Sequence, residues 1–182
     1  MKMIKLNKTL AATLFIACTI MIINSAQAQG RFKAKGATKN SSGGVTTGRM
    51  SGAKGANGGG FVRGRGTTTN GQGQASGGGA TAVKGANGGG GFRAGTYTAD
   101  NSGNVNYQGG AAATGTNGSA ATSGGFSRSA GGGVAGSRST AATANNGNSY
   151  EGNTSYQSGQ GVTSDRNCYD ANGNKITCPT YN

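Results

Sequence analysis

The 182-residue chain has no histidine, no tryptophan, one proline and only four acidic residues. Without histidine, neither a Ser-His-Asp nor a Cys-His arrangement can form. Four carboxylates leave little for paired-carboxylate hydrolysis. No Gly-x-x-x-x-Gly-Lys-Ser/Thr phosphate loop occurs, and isolated Gly-x-Gly stretches carry no information in a chain this rich in glycine. The sequence therefore reads as that of a non-enzyme with no cofactor and no small-molecule substrate.

Leucine is also nearly missing. Leu6, Leu10 and Leu14 all lie in a segment with the three parts of a secretory signal. Lys2, Lys5 and Lys8 precede an uncharged, largely apolar run, Leu10 to Ile23, and Ala26-Gln27-Ala28 supplies a small-residue cleavage pattern. The run is shorter than the roughly 20 residues that span a bilayer, which argues against a stable transmembrane anchor. Phe15-Ile16-Ala17-Cys18 offers a lipoprotein reading, but the apolar run continues past Cys18 to Ile23. Residues 1–28 are thus expected to be a cleavable signal peptide. The chain is expected to be secreted, working in the periplasm, on the outer surface or outside the cell.

Removing 28 residues from 182 leaves 154, and all 39 glycines lie among them. Ile176 is then the single isoleucine. A buried large apolar side chain contributes about 1.5–3 kcal/mol, whereas ordering each backbone residue costs about 1–2 kcal/mol. The few Val, Ile and Phe residues cannot offset that cost by an ordinary core. Order must come from repetitive backbone hydrogen bonding, self-assembly or a partner; otherwise much of the chain is disordered.

Acidic residues are absent from 29–99, where Arg31, Lys33, Lys35, Lys39, Arg49, Lys54, Arg63, Arg65, Lys84 and Arg93 make a polycation. These ten are the candidate polyanion-binding residues, able to hold extracellular DNA, lipopolysaccharide phosphates or acidic polysaccharide without sequence specificity. Arg63-Gly-Arg65-Gly66 resembles a short RGG-type element, and Phe61 and Phe92 offer stacking faces. The plainer reading is that scattered cations solvate a weakly apolar chain. Residues 100–182 are balanced, with Arg128, Arg138, Arg166 and Lys175 against Asp100, Glu151, Asp165 and Asp170.

What is abundant is punctuation. Lys54-Gly-Ala-Asn57-Gly58 recurs as Lys84-Gly-Ala-Asn87-Gly88, and the Asn-Gly signal continues at Asn117-Gly118 and Asn146-Gly147, a period near 30 residues. Turn-like points near the half period, at Asn70-Gly71, Asn101-Ser102-Gly103 and Ala130-Gly131, suggest a unit of about 15. Asn-Gly is a strong signal for a two-residue type I′ hairpin turn, and the glycine density disfavours helix. The fold expected is all-β where ordered: a glycine-rich repeat of short Asn-Gly hairpins or solenoid-like rungs, with a disordered basic segment after the signal peptide. The divisions are 1–28 signal peptide, 29–53 flexible basic segment, 54–165 repeat region and 166–182 terminal hairpin.

Cys168 and Cys178 flank Asn172-Gly173, so a turn there brings them nearly opposite, and a disulfide is expected in an oxidising compartment. Two thiols without histidine are a poor metal site. Asp170, Asn172 and Asn174 have the spacing of a calcium-loop start but lack its later Glu, so a turn is the better reading. Tyr169 to Asn174 resembles the tip of the YD-type hairpin repeats of bacterial surface proteins. In being exported, repetitive and rich in Gly, Asn and Gln, the chain also resembles curli-type amyloid subunits.

The expected function is that of a secreted structural, biofilm-matrix or cell-surface protein acting by self-association and attachment to anionic envelope polymers. The alternative is a soluble polyanion-binding protein. An ice- or glycan-binding sheet is a lesser possibility, hinted at by Thr67-Thr68-Thr69.

Overall fold

The computed structural model describes residues 30–179. The signal-peptide segment, including Cys18, lies outside the described residues. Eleven strands form one open antiparallel sheet in chain order: β1 (Gly30–Lys39), β2 (Val45–Lys54), β3 (Gly60–Thr69), β4 (Ala75–Lys84), β5 (Gly90–Ala99), β6 (Val105–Gly115), β7 (Gly118–Arg128), β8 (Val134–Ala144), β9 (Ser149–Gln157), β10 (Gly161–Tyr169) and β11 (Lys175–Ile176). The hairpin reading of the repeat thus fits the observed topology: a meander in which each strand and its loop make one half-period.

The turn chemistry differs from the expected type I′ pair. No described non-glycine residue has positive φ, so Asn57, Asn87, Asn117, Asn146 and Asn172 are not in the left-handed region that a type I′ turn demands of both central residues. Most connections are instead three-residue loops. Around Asn57-Gly58, for example, the Gly55 N–H donates to the Gly59 carbonyl and the Gly58 N–H to the Gly55 carbonyl. Only the glycine, here at φ 77°, is left-handed, which is the pattern of a hairpin with a G1 bulge. Gly88, Gly147 and Gly173 hold the same place in loops 85–89, 144–148 and 170–174. Asn117-Gly118 is different again: Gly115 pairs with Gly118 across a two-residue loop, Thr116-Asn117.

The segment expected to be flexible is also different. From Gly30 onward it is strand, and β1 and β2 pair in unbroken register from Gly30↔Lys54 to Lys39↔Val45. Glycine and serine make this stretch read as a linker, yet the strand length and loop spacing match the later repeats. The backbone ladder therefore extends over it.

The sheet is a single layer. Among the described residues the buried hydrophobic side chain is Cys168, at 5% exposure. Aromatic rings lie flat on the sheet over glycines. A Cβ on Gly77 would meet the Tyr97 ring at 2.7 Å, and Phe32 and Tyr150 cover Gly52 and Gly152 in the same way. The missing side chains make room for the rings and recover apolar contact that a two-layer fold would obtain from its core.

The loops at each end are braced to their neighbours. The Asn40 amide donates to the Thr69 carbonyl at 2.6 Å, the Asn145 amide donates to the Thr116 carbonyl, and the Ala130 N–H donates to Asn104 Oδ1 at 2.8 Å.

Candidate anion-binding face

Residues paired across antiparallel strands share a face of the sheet, and successive residues alternate between faces. The registers therefore assign every strand residue to one of two faces. One receives Arg31, Lys33, Lys35 and Lys39 from β1, Arg49 from β2, Arg63 and Arg65 from β3, Arg93 from β5, and also Arg128, Arg138 and Arg166 from β7, β8 and β10. No acidic strand residue shares this face. Glu151 and Asp165 are on the opposite face, while Asp100 and Asp170 lie in loops.

Of the ten cations singled out in the sequence, eight come together on this cationic face. Lys54 and Lys84, at the ends of β2 and β4, fall on the other. Arg128, Arg138 and Arg166 were missed because their half of the chain is electrically balanced. Their signal was parity: the cationic-face residues have odd numbers through β6 and even numbers from β7 onward. The switch comes from the lone two-residue loop at Thr116-Asn117, which pairs Gly115 with Gly118, whereas the other loops preserve parity.

Within the face the cations form rows across the strands. Lys35, Arg49 and Arg65 are consecutive partners, spaced by the roughly 4.8 Å between strands. Lys33, Ser51, Arg63, Thr81 and Arg93 form the adjoining row. Like charges placed directly opposite oppose one another. The Arg49 guanidinium is accordingly held below its ordinary pKa, first by partial desolvation and then by the charges of Arg65 and Arg63.

The row that begins Lys35–Arg49–Arg65 continues as Gly79–Gly95–Gly109–Gly124 and then reaches Arg138. Four consecutive strands thus present no side chain in this row. The resulting groove, of about 1250 Å³, has Arg49, Arg63 and Arg65 at one end and Arg138 at the other. Its wall is the row Gly77–Tyr97–Tyr107–Phe126, in which the Tyr107 and Phe126 rings stack at 5.6 Å and the Tyr97 hydroxyl is 3.1 Å from Thr67 Oγ1. A glycine floor partly covered by the Tyr107 hydroxyl, cationic ends and an aromatic wall can hold a linear anionic chain. Guanidinium and ammonium groups would pair its acidic groups, and the rings would stack on sugars or bases.

Cys168 and Cys178 are disulfide-bonded with Cα atoms 5.2 Å apart, closing the β10–β11 hairpin. Asp170 caps its own loop, its carboxylate accepting from the Asn172 and Asn174 N–H groups at 2.9 and 2.8 Å. Thr67 and Thr69 share the cationic face while Thr68 points to the other, so the Thr triplet does not form one array. Among the described residues no group of three or more His, Cys, Asp or Glu side chains is gathered, and no helix is long and apolar enough to cross a membrane. No protein-family model, curated protein or solved structure matches the chain.

Proposed function

We propose that the chain is a secreted structural protein of the cell surface or extracellular matrix, attached to anionic polymers through the cationic face and associated with its own copies. The observation that carries the reading is the sidedness of charge: among the described strand residues, one face of a single-layer sheet carries many cations and no carboxylate. A merely solvating distribution of charge has no reason to choose a side. The like-charge row Lys35–Arg49–Arg65 opposes the sheet that holds it and becomes favourable once a polyanion lies along it. The reading includes no catalytic step.

The test is retention of the exported protein on immobilised DNA and on lipopolysaccharide across a salt series. Replacing Arg49, Arg63, Arg65 and Arg93 by Gln should weaken retention and flatten its salt dependence, by about 0.7–0.9 in log–log slope for each phosphate no longer neutralised. Replacing Lys84 and Lys175, on the other face, should do neither. Equal effects from the two sets would reduce the cations to non-specific charge. A protein that binds in this way but remains monomeric would be the soluble polyanion binder.

A further inference from the structure

We propose that the face opposite the cations is a self-association surface that seats a second copy of this chain back to back. The pair is isologous, with its two-fold axis along the strands between β6 and β7. The inference deepens the self-association half of the proposed function and is independent of polyanion attachment.

The surface is built from two adjoining cross-strand rows. Phe32, Gly52, Val62, Ala82, Phe92, Ala112, Ala121 and Ala141 are successive partners over eight strands without a polar member. Beside them run Ala34, Met50, Gly64, Ala80, Ala94 and Gly110. Phe92 stands 58% exposed in the middle of this apolar band. Contiguous apolar patches of such extent on a monomer mark contact sites. The charged residues of this face lie outside the eight-strand band: Lys54 and Lys84 at the ends of β2 and β4, Glu151 and Asp165 where the two rows run on into β9 and β10, and Lys175 on β11. Apolar centre and charged rim are the anatomy of a protein interface.

Three features select a second copy as the occupant. The cationic faces repel one another, so an isologous stack of two sheets must use this side. An axis between β6 and β7 lays β5 over β8 of the mate, placing each Phe92 on the partner's Ala141 and filling a shallow row of methyl groups with a ring. The same operation lays β4 over β9, with Lys84 two residues along the strand from the point that faces the partner's Glu151, on both sides of the pair. The available face is also large enough. Ten strands at about 4.8 Å and ten residues at about 3.4 Å give roughly 1,600 Å², whereas a standard interface needs about 800 Å² from each partner. The resulting particle has its cations on both outer surfaces and can bridge two anionic polymers.

The experiment is sedimentation of the exported protein without polyanion, comparing Ala121→Lys with Thr122→Lys. These neighbours in sequence lie on opposite faces. A concentration-dependent pair is expected for the parent. Ala121→Lys should weaken it by about tenfold or more, because an unpaired charge would be buried, and Thr122→Lys should leave it intact. Phe92→Ser, which adds no bulk, should weaken pairing while preserving the strand signal in circular dichroism, so that misfolding is not mistaken for dissociation. Retention of Ala121→Lys on DNA should match the parent, which separates this inference from attachment. A monomeric parent, equal effects of Ala121→Lys and Thr122→Lys, or loss of pairing on Lys35→Pro in the outermost described strand β1 with Ala121→Lys still paired would overturn the back-to-back arrangement. The last result would assign association to the strand edge.

Discussion

The Tyr107 ring stacks on Phe126 with centroids 5.6 Å apart and 26° between the ring planes. Its hydroxyl reaches over the glycine row, within 2.5 Å of where a Cβ on Gly109 would lie and 2.7 Å of one on Gly95. In a sheet without a second layer, this pair is among the few places where large apolar surfaces meet. Gly109→Ala should displace the ring and press on the Ala94 carbonyl, 2.9 Å from the new Cβ, so it should cost about 1 kcal/mol or more. Tyr107→Ala should cost at least as much, and the double variant should cost less than the sum. Additive losses in denaturant titrations would mean that Gly109 and Tyr107 are not coupled.

Glycine serves two different purposes here, and a matched pair of substitutions separates them. Neither Gly48 nor Gly103 has an atom within 4 Å of a Cβ position, but Gly103 has φ +89° and Gly48 is ordinary strand. Gly103→Ala should destabilise by about 1–2 kcal/mol through the left-handed backbone alone. Gly48→Ala should stabilise by about 0.4–1 kcal/mol, by restricting the unfolded chain. Thermal melts of both variants are the check; two losses of similar size would mean that Gly48 is required for another reason.

Turn positions were legible in the sequence because glycine and asparagine act locally. The half-period points at Asn70-Gly71, Asn101-Gly103 and Ala130-Gly131 all fall in loops between strands. Loop type was less legible, since Asn-Gly at the last two positions of a three-residue loop reads the same as a two-residue turn. Strands β1 and β2 were hidden for another reason. A residue such as Gly36 or Gly48 has no propensity for strand and is ordered by its neighbours' backbones, which local composition does not record. The cationic face depended on register over the whole sheet, down to the parity change at Thr116-Asn117.

Two loops make stability depend on acidity. The Asp100 carboxyl is held below the usual carboxylate range, chiefly by the Asn104 side-chain amide and then by the Asn104 N–H, with the Ser102 and Gly103 N–H groups adding to it. Asp170 is lowered likewise by Asn174, Asn172 and Gly173. A carboxyl with a depressed folded pKa stabilises the fold above its unfolded value of about 3.9. That contribution fades as pH falls through the lowered folded value. Stability should therefore be level near neutrality and decline below about pH 4. Asp100→Asn with Asp170→Asn should flatten the decline without losing the loops, because Asn40 already accepts the Ser42 and Gly44 N–H groups at 3.1 and 3.0 Å in the equivalent place. An unchanged acid slope in denaturation from pH 6 to 2 would assign the decline elsewhere.

The disulfide joins residues only 10 apart, and β11 meets β10 at just two register positions, Cys168↔Ile176 and Tyr169↔Lys175. Closing so short a loop stabilises by about 2–3 kcal/mol in the chain-entropy account. The effect should be local. Reduction, or Cys168→Ser with Cys178→Ser, should speed amide exchange over 168–176 while leaving β4 to β8 protected. Collapse of protection throughout the sheet would instead make this hairpin the cap on which the whole meander depends.

Binding and stability oppose one another at Arg49. Arg49 stands directly between Lys35 and Arg65 on neighbouring strands, and its lowered pKa reflects desolvation and the charges of Arg65 and Arg63. Arg49→Thr removes that repulsion and places a β-branched residue in a sheet whose same face already pairs Thr47 with Thr67. The variant should melt higher than the parent at low ionic strength, with the difference shrinking as salt screens the row. It should also elute from immobilised DNA at lower salt. A cation retained only to solvate the chain predicts neither change. A lower melting temperature, or undiminished retention, would remove Arg49 from the proposed binding row.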